Sequence, residues 1–149
     1  LAQVSGAFTG AVINWLAYRQ HFDATTDGSA QLAVFCTSPA IQSPVHNILT
    51  EAIGTFMLVF GALYIAPSAV KLGALDAFPV ALLVMGIGMS LGGPTGYAIN
   101  PARDFGPRLE HFLLPIAHKK SSEWTYSWIP VLGPILGGWA AAQVFLLLQ

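Results

Sequence analysis

The stretch "GYAINPARDFGPRL", residues 96–109, sets Arg103, Asp104 and Arg108 among prolines, glycines and apolar residues. Asn100 followed by Pro101 reads as a helix start. Asparagine is a favoured N-cap, and proline suits the first helical position, where its missing N–H costs nothing. Pro115 stops the helix, giving a segment over 101–114. At 1.5 Å per residue it rises roughly 21 Å, short of the ~30 Å hydrocarbon core of a bilayer. It is therefore either a re-entrant half-helix or an amphipathic helix in a loop outside the membrane. Arg103 favours the first, because a cation in the first turn opposes the helix dipole. So does the apolar run before the cap, for which an exposed loop has no use. Asp104 suits the N-terminus and offsets part of the Arg103 cost.

The surrounding composition makes lipid the relevant solvent. Of 149 residues, 54% are hydrophobic and 9% charged, against about 25% charged in soluble domains; the mean hydropathy is +0.62. A net charge of −1 gives no electrostatic reason to expect a nucleic acid partner. One cysteine, Cys36, makes no internal disulfide, and His21, His46, His111 and His118 lack metal-binding spacing; they read as loop and interface residues. No cofactor is expected.

Charge-free or nearly charge-free runs predict four membrane helices, over 1–18, 45–66, 77–93 and 127–148. The chain starts at Leu1, inside an apolar run with no charged segment before it, and is expected to be a fragment. A polar loop joins the first two helices, and a short connector over 67–76, holding Lys71, joins the next two. Gly92, Gly93 and Pro94 are expected to break the third span, and Glu51 lies within the second. Trp124, Tyr126 and Trp128 read as an interfacial aromatic belt. Gly6 with Gly10, and Gly133 with Gly137, are small-xxx-small pairs that let helices approach closely. The few basic residues, counted alone, put the long connectors inside.

The run Asn100–Arg108 with Gly96, Tyr97 and Ala98 before it closely resembles the second Asn-Pro-Ala box of the aquaporin superfamily, in its glycerol-facilitator branch. The resemblance extends to Ala2, Gln3, Gly6 and Ala7 in the first helix, to Glu51, and to Gly133-Pro134. It implies an all-α membrane protein, an aquaporin-like bundle with one re-entrant half-helix, acting as a passive channel for glycerol, related small uncharged solutes and water. It implies a homotetramer in the plasma membrane of a bacterium, with the connectors over 19–44 and 112–127 outside, opposite to the basic count.

Residue by residue, the resemblance implies that Asn100 donates to a passing oxygen while Pro101 and Ala102 pack at the pore centre. Arg103 lines the constriction, and the carbonyls of Gly96, Tyr97 and Ala98 accept from the permeant. Glu51 braces that loop; a chance interfacial carboxylate is the alternative. Asp104, Arg108 and Pro130-Val131 match the glycerol branch, and Gly88 is expected to leave an open gap for carbon atoms, with Tyr97 in place of the more usual phenylalanine. The family is built from two inverted repeats, and this chain matches one helix of the first and all of the second. A water-selective channel and half of an ion-coupled transporter are the alternatives. The transporter would normally show a second membrane-embedded titratable group near Glu51. An enzyme would need a nucleophile and base at membrane depth, and Cys36 and the histidines are expected in connectors or at span ends.

Overall fold

The computed structural model describes residues 1–65 and 73–149. Its helices are α1 (Ala2–Ala17), α2 (Arg19–Ala24), α3 (Gly28–Ala33), α4 (Pro44–Ile65), α5 (Phe78–Thr95), α6 (Pro101–Leu113) and α7 (Ile129–Leu147), with a 3-10 turn over Gly73–Leu75 before α5. No strand occurs among the described residues. Most of the predicted connector, including Lys71, lies outside them.

Among the described residues, three helical stretches are long and apolar enough to cross a membrane: Pro44–Ile65, Gly73–Thr95 and Ile129–Leu147. The other predicted span, α1, has 16 residues, a rise of about 24 Å. The third span differs from expectation in how it ends. Gly92, Gly93 and Pro94 do not break α5, which runs through Pro94 to Thr95 and stops at Gly96 in a left-handed conformation (φ 75°). A proline that near the C-terminus removes one hydrogen bond without displacing a following turn. The Pro94 carbonyl instead accepts from Ala40 N–H at 2.9 Å.

The burial pattern is inverted relative to a soluble protein. Glu51, Asp104, Arg108, Glu110 and His111 are fully buried, while Ile13, Leu16, Met85, Met89 and Leu136 are exposed. Burying charge is tolerable only where partners replace water, and lipid rewards the apolar exterior. His111 is thus a correction: it lies inside α6, not in a connector or at a surface.

Small residues decide which helices pack. At Gly133, on α7, a β-carbon would lie 2.6 Å from Glu51 Cβ, and at Gly137 it would run into the Ala52 carbonyl. The α4–α7 contact is therefore backbone against backbone, as the spacing predicted. Gly61 instead admits a side chain of α5, since a β-carbon there would meet Leu83 Cδ2 at 2.6 Å. Gly6 and Gly10 behave otherwise: among the described residues nothing comes within 4 Å of a β-carbon at either position. Gly106 is where α1 and α6 come together: a β-carbon there would lie 2.9 Å from the Val4 carbonyl and 3.1 Å from Ala7 Cβ.

The expected polar loop between α1 and α4 is folded. Phe22, Leu32, Phe35 and Cys36 form an apolar cluster with Ile116, and Ala11, Trp15 and Leu114 pack against it. Gln31 fastens the cluster: its Nε2, with two N–H donors, lies 2.7–3.0 Å from the carbonyls of Phe22, Thr25 and Ala117, which share them. Burial raises the Cys36 thiol to about 12.

Candidate functional site

The chain between α5 and α6 follows a backbone path that its residue types do not favour. After Gly96, both Tyr97 (φ 40°) and Ile99 (φ 43°) sit in the left-handed region. For a β-branched residue such as Ile99 this is costly and persists only when the surroundings enforce it. The enforcement comes from α4. Glu51, which has no exposed surface, accepts Ala98 N–H at 3.0 Å with Oε1 and Ile99 N–H at 2.7 Å with Oε2. Gly54, nearly one turn further along α4, makes room for the Ile99 side chain, 2.9 Å from where its β-carbon would be. One carboxylate thus satisfies two buried amides that no regular element could pair.

Those amides point at Glu51, and among the described residues nothing donates to the carbonyls of Gly96, Tyr97 and Ala98. Asn100 then caps α6. Its Oδ1 accepts from Ala102 N–H at 2.9 Å and from Arg103 N–H at 3.4 Å. With the oxygen committed to the cap, the amide NH2 is the end left to donate. Pro101 opens the helix, Ala102 is buried, and Arg103 is exposed and enters no ion pair among the described residues.

Gly88 requires a revision. A β-carbon there would lie 3.0–3.3 Å from Tyr97 Cζ, Cε2 and Cε1, and one at Gly92 would lie 3.1 Å from Cδ1. The ring rests on α5 across both glycines, so the space over Gly88 is filled by Tyr97 and is not an open gap. What the glycines fix is how far the ring can retreat towards α5.

Asp104 lies in the first turn of α6, and since residues at i and i+4 meet on a helix, its side-chain partner is Arg108. Asp104 Oδ1 accepts from Arg108 Nε at 2.7 Å and Oδ2 from Nη2 at 2.9 Å. Oδ2 also accepts from Thr37 N–H and Oγ1–H, both at 2.8 Å. Arg108 donates onward to the carbonyls of Thr37 and Ser122, each at 2.7 Å. The guanidinium lies 5.8 Å from the Tyr126 ring centroid, so Tyr126 is buried against Arg108 and does not belong with the exposed Trp128 in an interfacial belt. His111 Nδ1 meets Ser122 Oγ at 2.8 Å. This network ties α6 to the segments on both sides of it. The Asp-x-x-x-Arg spacing could have signalled the pair, but nothing in the sequence pointed to Thr37 or Ser122.

A half-span helix, capped by asparagine and entered from a strained loop braced by a buried glutamate, defines a helical membrane fold of the re-entrant type. The family profile described as Major intrinsic protein matches residues 1–145, and the chain belongs to that family. It is 52% identical over 144 residues to a probable glycerol uptake facilitator protein of Thermotoga maritima, covering 97% of this chain and 61% of that one. It is 53% identical over 137 residues to the glycerol uptake facilitator protein of Bacillus subtilis, covering 92% and 50%. The structure of the aquaglyceroporin from Plasmodium falciparum superposes with a TM-score of 0.82 at 27% identity, over 97% of this chain and 60% of that one. The chain thus spans about half to three fifths of the length of these relatives.

Proposed function

We propose that this chain forms part of the wall of a passive channel for glycerol and related small uncharged solutes, with water, that excludes ions and protons. The observation that carries this reading is the polarity of one surface. Among the described residues the three carbonyls of Gly96, Tyr97 and Ala98 have no donor and the Asn100 NH2 has no acceptor, Arg103 is exposed, and the Tyr97 ring lies beside them. A polyol presents hydroxyls along one edge and carbon along the other, and this surface offers partners to both. The N-terminus of α6 presents positive potential there, which repels cations and hydronium. The names of the relatives agree with this choice of solute.

A water-selective channel is the second reading, and the glycine at Gly88 that receives the Tyr97 ring argues against a polar group at that position. A half of an ion-coupled transporter fits less well, because both oxygens of Glu51 are engaged by backbone amides. We place the channel in the bacterial plasma membrane as a homotetramer, in lipid, with no cofactor and no enzymatic activity.

The test is flux through proteoliposomes of a full-length channel carrying this sequence, followed by light scattering with glycerol and then with an impermeant sugar. Glycerol and water flux above empty vesicles is expected, and the 149-residue chain alone should give none. Asn100→Asp should weaken cation exclusion by placing negative charge at the helix start. Absence of glycerol flux, with water flux intact, would favour the water-selective reading.

A further inference from the structure

The outer end of α6 is closed by a side chain from beyond the helix. The last carbonyls of any α-helix lack intrahelical partners. Here the Lys119 ammonium donates to three carbonyls at that end: His111 at 3.0 Å, Phe112 at 2.9 Å and Leu114 at 2.6 Å. An ammonium has three donors, and each has an acceptor. A cation at a helix C-terminus also gains from the dipole.

Lys119 is itself held. Its segment turns through His118, whose φ is 59°, and is fastened to the outer folded loop at two points. The Ala117 carbonyl accepts from Gln31 Nε2 at 2.7 Å. Gly28 at the start of α3 packs so closely that a β-carbon there would lie 2.7 Å from both the His118 carbonyl and Lys120 Cγ. The ammonium is thus a fixed point against which α6 is set lengthwise, whereas Glu51 and Asn100 fix the opposite end.

We infer that Lys119 is a positioning residue for the pore. Resting on the channel reading above, the inference is that the ammonium sets the depth of α6, and so the height at which Asn100 and Arg103 meet the permeant. It touches no permeant itself. Losing it frees three carbonyls, lets the last turn of α6 unwind, and allows the capped end to shift.

The experiment compares Lys119→Met, Lys119→Gln and Lys119→Arg in a full-length channel carrying this sequence, with amide hydrogen exchange and glycerol flux measured on each. In Lys119→Met, exchange in the last turn of α6 should rise roughly tenfold, as loss of about 1.4 kcal/mol of local protection gives, while α4 and α7 are unchanged and glycerol flux falls. Lys119→Arg, which keeps the charge and donors, should restore both, and Lys119→Gln should fall between. If Lys119→Met does not fold, the Gln–Arg comparison decides in the same way. Wild-type exchange and flux in the neutral variants would overturn the inference, and so would failure of the arginine to rescue. A wild-type channel without glycerol flux would instead count against the channel reading, with exchange still judging whether Lys119 holds α6.

Discussion

Glu51 and Ile99 are 48 residues apart, yet the Glu51 carboxylate accepts the Ile99 N–H at 2.7 Å and holds a β-branched residue at a positive φ. The strain in the loop and the burial of the acid answer each other. The loop could not keep its path without two acceptors beneath it, and the carboxylate could not be buried without two donors above it.

Replacing Glu51 with glutamine keeps one acceptor and presents an NH2 group to the other amide. One buried N–H then loses its partner, at a cost of about 1–3 kcal/mol. Thermal unfolding in detergent should register that loss, and glycerol flux should drop with it as the Gly96–Ala98 carbonyls lose their alignment. Unchanged flux in Glu51→Gln would mean that the brace does not set the carbonyls.

Asp104→Ala should be among the most damaging single changes to stability. It leaves the Arg108 guanidinium buried with its carboxylate gone, and orphaned buried charges cost about 3–5 kcal/mol. Arg108→Met removes the cation alone and leaves the Asp104 carboxylate buried with only the two Thr37 donors. The double replacement should cost less than the sum of the two, a coupling that a double-mutant cycle on unfolding free energies reads directly.

Gly88→Ala tests the seat of the Tyr97 ring. A methyl group there meets the ring at 3.0–3.3 Å and can be accommodated only if the ring moves off α5. Glycerol flux should fall by a larger factor than water flux, and Gly88→His should abolish glycerol flux while leaving water flux appreciable. Equal losses in both would place the ring away from the permeation path.

Cys36 should resist alkylation. The thiolate is the reactive form, and burial raises this thiol to about 12, so it stays protonated at pH 8 besides being shielded. Maleimide labelling at pH 8 should be negligible in the folded protein and complete after denaturation. Rapid labelling of the native protein would show that the cluster around Phe35 opens.

The half-helix was legible because its signals are local: Asn100 and Pro101 start it, Pro115 follows it, and its length is too short to span. Glu51 was legible as a brace only through family resemblance, since a lone acid in an apolar run does not say what it touches. The network around Arg108 depends on Thr37 and Ser122, which lie 71 and 14 residues away, and no periodicity carries such a pairing. Gly92–Pro94 misled because glycine and proline are breakers in general, whereas the cost of proline depends on which turn it occupies. Gly6 and Gly10 had the same spacing as Gly133 and Gly137, but spacing does not reveal whether another helix faces it.

The α4–α7 crossing has a consequence for how such a protein can vary. Where Gly133 and Gly137 meet Glu51 and Ala52, the fit is between main chains, so there is little side-chain shape left to remodel. The frame is therefore set by the absence of atoms, while on the proposed channel reading preference among permeants is written in side chains elsewhere, around Tyr97 and Arg103. On that reading, residues at the proposed pore surface can change and re-tune the channel without asking the helices to repack. The two glycines have no such latitude, because any addition at either reaches a backbone that cannot step aside.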